Sequence, residues 1–201
     1  MKTDDLLNQA NENRNKSSVN FAEKSFERAE DAKKVFAALK TMILRIDEWN
    51  THSLISTFAL FDENGKQLEN GKLAAGLCIR IALRGSGKYD WIHIENIFEA
   101  ANEFIITVKP CFDPTDENRA EKTISHFFTD DSTNNFCICK KDKTVAFYVI
   151  GLDEKMNTSE TSGTLETVRN VAVNFGTYLG IQSSEWGKFS NHFLTDAAEE
   201  N

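Results

Sequence analysis

The chain has little of several things, and each shortage narrows what it can be. Two prolines and ten glycines in 201 residues exclude a collagen-like or long disordered chain. No long hydrophobic run is present. The apolar stretch Val145 to Ile150 is far too short to cross a bilayer, so no membrane insertion is expected. The first residues, Met1-Lys2-Thr3-Asp4-Asp5, lack the apolar core of an export signal, which predicts a cytoplasmic protein. Positive charge is also short, with 23 basic against 31 acidic residues and a net charge of −8. Such a field repels phosphate backbones, so nucleic acid is not expected as a partner. The four cysteines, Cys78, Cys111, Cys137 and Cys139, lack zinc-ribbon spacing, and Cys137 and Cys139 sit too close on one strand to bridge each other. Free thiols in a reducing compartment are expected. His52, His93, His126 and His192 are far apart, so neither a metal nor a cofactor is predicted.

What is present is apolar periodicity and phenylalanine, fifteen residues of it, enough for one aromatic-rich core. Residues 1–18 are polar and read as a flexible tail, 19–195 as a single α+β domain, and 196–201 as an acidic tail. Ala22, Phe26, Ala29, Ala32, Phe36, Leu39 and Ile43 recur at steps of three and four, one face of a helix. A rival reading makes Ser18 to Phe26 a strand, on the alternation of Val19 and Phe21, and starts the helix near Asp31. Strands are predicted at Leu54–Phe61, Leu77–Leu83, Trp91–Phe98, Phe104–Lys109, Phe136–Cys139 and Val145–Ile150. Turns fall at Asn64-Gly65, Asn70-Gly71, Arg84–Lys88 and Lys140–Lys143. Leu165, Val168, Ala172, Phe175 and Leu179 then repeat as a long C-terminal helix, and Ser183 or Ser184 caps another carrying Trp186, Phe189 and Phe193. Short turns between strands imply a curved antiparallel sheet of about six strands, with a helix before it and a long helix packed on it.

No motif carries a recognisable reaction. Gly85-Ser86-Gly87-Lys88 resembles the end of a phosphate loop, but Ala82 and Tyr89 occupy the positions that need Gly and Ser or Thr, and a strand follows where a helix is required. Asp113, Asp116, Glu117, Asp130 and Asp131 lack the central Gly and terminal Glu of a calcium loop. Cys111 has no neighbouring base in sequence. His93 lies between Trp91 and Glu95 on one strand face, which suits a tuned acid or base, but such a trio is more often the wet face of a sheet. Trp49 and Trp91 fit either a ligand cavity or ordinary core.

The element order resembles the START-like helix-grip superfamily, on Val35-Phe36-Ala37-Ala38-Leu39, the helix end Glu48-Trp49-Asn50, and Gly76 leading into Leu77–Leu83. The resemblance spans about residues 18–180 as topology. It implies an apolar cavity between sheet and last helix, holding a hydrophobic small molecule. Trp49, Ile79, Ile81, Ile94, Ile106, Val168 and Phe175 would line it. The order of elements is also similar to secretion-chaperone-like folds, which implies a protein partner. A strand at 18–26 favours the first, and a continuous helix from Asn20 to Ile46 the second. An enzyme is the third reading. It requires His93, Glu95, Arg80 and His126 to converge in one cleft.

Overall fold

The computed structural model describes residues 1–53, 56–69, 71–83, 89–117, 124, 128–155 and 185–200. In order they form α1 (Thr3–Glu12), a 3-10 turn at Arg14–Lys16, β1 (Ser18–Ser25), α2 (Ala29–Ile43), α3 (Ile46–His52), β2 (Ser56–Phe61) and β3 (Gln67–Leu68). Then follow β4 (Cys78–Leu83), β5 (Tyr89–Ala100), β6 (Glu103–Pro110), β7 (Thr133–Lys141), β8 (Thr144–Leu152) and a final helix, α4, over 185–199. The predicted helix from Leu165 to Leu179, and with it Val168 and Phe175, lies outside the described residues. So do the Arg84–Lys88 turn and His126.

The strands form one antiparallel sheet in the order β1-β8-β7-β6-β5-β4-β2-β3. It has eight strands, where the sequence predicts about six. The two additions are β1 and the two-residue β3, which pairs Leu60 with Leu68. Residues 18–25 are therefore strand, and the continuous helix from Asn20 is overturned. The steps from Ala22 through Phe26 to Ala29 fit a helix by coincidence. Every residue from Ser18 to Ser25 instead pairs with β8, running from Gly151 to Thr144. Helix α2 starts at Ala29, with Glu30 and Asp31 in its first turn, where the helix dipole favours negative charge. Its buried stripe, Ala32, Val35, Phe36, Leu39, Met42 and Ile43, faces the sheet.

Both ends of the chain are more ordered than their polar composition predicts. In the expected tail, Thr3, Leu6 and Ala10 fall on one face of α1 and are buried. They pack with Ile105, Cys137, Ile150 and Leu152 against the outer face of the sheet. At the other end Ala197 is fully buried, so α4 continues past residue 196.

The inner face of the sheet carries the main core. Alternation puts Leu60, Ile79 and Ile92 in one cross-strand row, and Ile97, Ile106, Phe136 and Val149 in another. A bulge between Ile94 and Asn96 resets the alternation of β5. Because of it, Ile94 and Ile97 both join the inner core, while Phe98 turns outward to α1. The β2–β3 turn holds Gly65 at φ +80°, a conformation that favours glycine. Asp62 Oδ1 accepts from the Asn64 and Lys66 amides at 2.9 Å each, closing that turn.

Candidate functional site

Ile79, Ile81, Ile94 and Ile106, predicted to line a cavity, share the inner face of the sheet, and Trp49 packs against that face from α3. The Trp49 ring lies 4.7 Å from Phe136, 5.3 Å from Phe58 and 5.5 Å from Phe189, and its indole N–H donates to the Ile43 carbonyl at 2.9 Å. Trp49 is thus fully satisfied and fully buried. Ile79, Ile94 and Ile106 are completely buried, whereas Ile81 is only partly so. Val168 and Phe175 lie outside the described residues.

The partial exposure of Ile81 directs attention to the corner where β2 and β4 meet α4. Ile81 stands opposite Phe58 in the β2–β4 register. On the other side of Phe58, at 6.5 Å, is the ring of Trp186. Trp186 also meets Phe136 at 5.3 Å and Phe189 at 5.2 Å, both edge-on. The apolar face of α4 continues through Phe193, which meets Phe147 at 5.9 Å. The sequence identifies this helix and its aromatic face correctly. It gives no sign that Phe58 and Ile81, from different strands, meet Trp186.

Polar contacts fix α4 at this corner. The Ser53 hydroxyl donates to Glu185 Oε1 at 2.9 Å and accepts the Ser56 amide at 3.1 Å. The Ser190 hydroxyl donates to the Trp186 carbonyl at 2.9 Å. Further along, buried His52 stacks on Phe193 with ring centroids 4.0 Å apart. Its Nε2 lies 3.0 Å from Asp196 Oδ2, and its Nδ1 donates to the Glu48 carbonyl at 2.6 Å. Both ring nitrogens are therefore occupied, leaving neither to activate the neighbouring Ser53.

A cleft of about 300 Å³ opens beside Phe58, between α3 and the β2–β3 pair. Phe58, Leu60 and Leu68 supply its apolar surface, and Asp47, Gln67 and Glu69 its polar rim. Asn50 holds the wall in place, giving its amide N–H to the Phe58 carbonyl at 2.9 Å and accepting the Phe58 N–H at 2.6 Å. That volume is at the lower end for a small-molecule site.

Of the four residues named for an enzyme, His126 lies outside the described residues. His93 and Glu95 are neighbours, but on the outer face, and Glu95 pairs with Lys109 at 2.9 Å. Burial lowers the His93 pKa, with Glu95 opposing and Lys109 reinforcing that shift. Arg80 lies over the rings of Phe61 and Tyr89, at 5.1 and 4.7 Å. Trp91 belongs to this outer cluster too, edge-on to Phe61 at 4.9 Å. The four cysteines are free thiols. A hydrogen bond with Cys78, and burial, push the Cys111 thiol up, and burial pushes Cys139 up to about 11. Neither is an activated nucleophile. Among the described residues no group of three His, Cys, Asp or Glu side chains is placed to hold a metal ion. Among them, too, no helix is long and apolar enough to cross a membrane.

No family model and no curated protein matches the sequence. Solved structures similar in chain path include the di-domain ARO/CYC StfQ from the steffimycin biosynthetic pathway, 9% identical with a TM-score of 0.49. That match covers 98% of this chain and 55% of StfQ, so this chain spans about half its length. A hypothetical protein from Helicobacter pylori is 10% identical over 90% of this chain and 83% of its own, with a TM-score of 0.46. Ara h 8.0201 is 10% identical over 92% of this chain and 100% of its own, with a TM-score of 0.41.

Proposed function

We propose that this protein binds an uncharged, hydrophobic small molecule at the corner formed by Phe58, Ile81 and Trp186, with the cleft beside Phe58 as its mouth. The observation that carries the reading is local. Ile81 and Trp186 are large apolar side chains of the inner core left partly exposed, and both flank Phe58 next to a cleft with an apolar wall. Apolar surface of this kind gains about 25 cal/mol per Å² when a ligand covers it. The carboxyl groups of Asp47 and Glu69 on the rim, and a net charge of −8, disfavour anions such as fatty acids. The strand at Ser18–Ser25 is the feature that separates the helix-grip arrangement from the chaperone-like one.

The test is titration with N-phenyl-1-naphthylamine, a neutral fluorophore that brightens in apolar surroundings. Saturable enhancement is expected, weakened about tenfold or more by Leu68→Glu, which puts a charge at the mouth. Absence of enhancement, or equal binding by the variant, contradicts the proposed site.

One observation favours a second reading, a module that docks a protein partner. β1 is an edge strand of the sheet, and its Val19 and Phe21 are 43% and 54% exposed. An extended partner segment adding to this edge would cover them. Phe21→Ser is expected to abolish association seen by sedimentation if this reading holds, and to leave probe binding unchanged if it does not.

A further inference from the structure

The indole N–H of Trp186 is shielded from solvent and has no hydrogen-bond acceptor among the described residues. Buried tryptophan N–H groups usually find a partner, and each exception in a folded protein calls for an explanation. The contrast with Trp49 sharpens the point. That indole is equally enclosed by aromatic rings, yet its N–H is satisfied by the Ile43 carbonyl at 2.9 Å.

Three aromatic rings surround that of Trp186. Phe136 and Phe189 meet it edge-on, and Phe58 bounds it on the β2 side. The backbone beneath it is pinned by the Ser190 hydroxyl on its carbonyl, and by Ser53 on the preceding Glu185. The donor is therefore held in place within the partly exposed end of an apolar core.

We infer that Trp186 Nε1–H is the polar recognition point of the site, donating a hydrogen bond to an acceptor oxygen on an otherwise apolar, uncharged ligand. The inference rests on the binding reading above and narrows it. A pure hydrocarbon would cover the apolar surface but leave the donor unpaired. A ketone or ester oxygen would satisfy it. A carboxylate would accept as well, but Asp47, Glu69 and the buried Glu185 make the corner unfavourable for an anion.

The experiment compares two probes of one shape, 2-acetylnaphthalene and 2-isopropenylnaphthalene, binding to the full chain and to Trp186→Phe. The variant keeps a ring against Phe58, Phe136 and Phe189 and removes the donor together with part of the indole's apolar area, a loss that the hydrocarbon probe reports separately. The full chain is expected to bind the ketone about tenfold more tightly than the hydrocarbon, which is about 1.4 kcal/mol. In Trp186→Phe that preference disappears, the ketone weakening while the hydrocarbon holds within about twofold. A measurement on the unaltered protein guards against a variant that fails to fold. The Trp186 indole proton resonance is expected to move downfield with the ketone and not with the hydrocarbon. If both probes bind but the ketone keeps its preference in the variant, and the indole resonance stays still, the donor role is wrong and the apolar site stands. If neither probe binds, the binding reading fails and takes this inference with it.

Discussion

Two regions of the inner sheet face are made of the same residue types and are packed in opposite ways. Beneath α2, the side chains of Phe147 and Val149 are sealed to 1% exposure or less, and α2 covers β7 and β8 directly. At the β2–β4 corner, Ile81 and Trp186 stay partly open, the Trp186 donor has no acceptor among the described residues, and a cleft adjoins Phe58 on its β3 side. The first region follows the rule of protein interiors, close packing with polar groups paired. The second breaks both halves of that rule within one patch. Departures of this kind concentrate where a protein meets a ligand. On the reading proposed above, the sealed region holds the fold and the open corner takes the ligand.

Substitutions separate the two. The largest effect is expected from Phe147→Ala, which removes a fully buried ring packed on Phe189 and Phe193 and should cost about 3–5 kcal/mol by chemical denaturation. His52→Ala should cost about 1–3 kcal/mol, since it removes the stacked ring and strands the Glu48 and Asp196 contacts that hold α4. Ile81→Ala sharpens the comparison. Partial exposure limits its cost to about 1 kcal/mol, yet it should weaken N-phenyl-1-naphthylamine binding several-fold. A stability loss as large as that of Phe147→Ala would show that the corner is ordinary core.

The smallest effect lies outside both regions. Glu154 sits beside Gly151 at the β8 exit, where burial raises its pKa and the Ser18 hydroxyl partly offsets the rise. The folded state therefore disfavours the charged form. That penalty is absent below the ordinary carboxyl value of 4.5 and fully present above the raised folded one. Glu154→Gln, which keeps the Ser18 contact, should stabilise slightly at neutral pH and lose its advantage in acid.

Much of the architecture is legible in the residues. The alternation of Ile79 and Ile81, the turn at Asn64-Gly65, and the aromatic stripe of Trp186, Phe189 and Phe193 each report a local preference. What the sequence hides is non-local. Residues 18–25 carry a helical and an extended pattern together, and pairing with β8 decides between them. The stripe of Thr3, Leu6 and Ala10 is diluted by polar neighbours, and becomes meaningful only against the outer sheet face that α1 covers. The candidate corner was legible only in part. Ile81 is an expected cavity residue, but Phe58 and the unpaired donor of Trp186 are products of how β2, β4 and α4 meet. An apolar pattern alone is the same for a filled core and for a site.

Native mass spectrometry of the purified chain, with a solvent extract of the same sample, tests the binding claim most directly. The account predicts a reproducible adduct that the extract identifies as a neutral, apolar molecule bearing an acceptor oxygen. A bare chain that also stays bare when 2-acetylnaphthalene is added would contradict it, because an apolar corner whose donor has no acceptor among the described residues would be left empty.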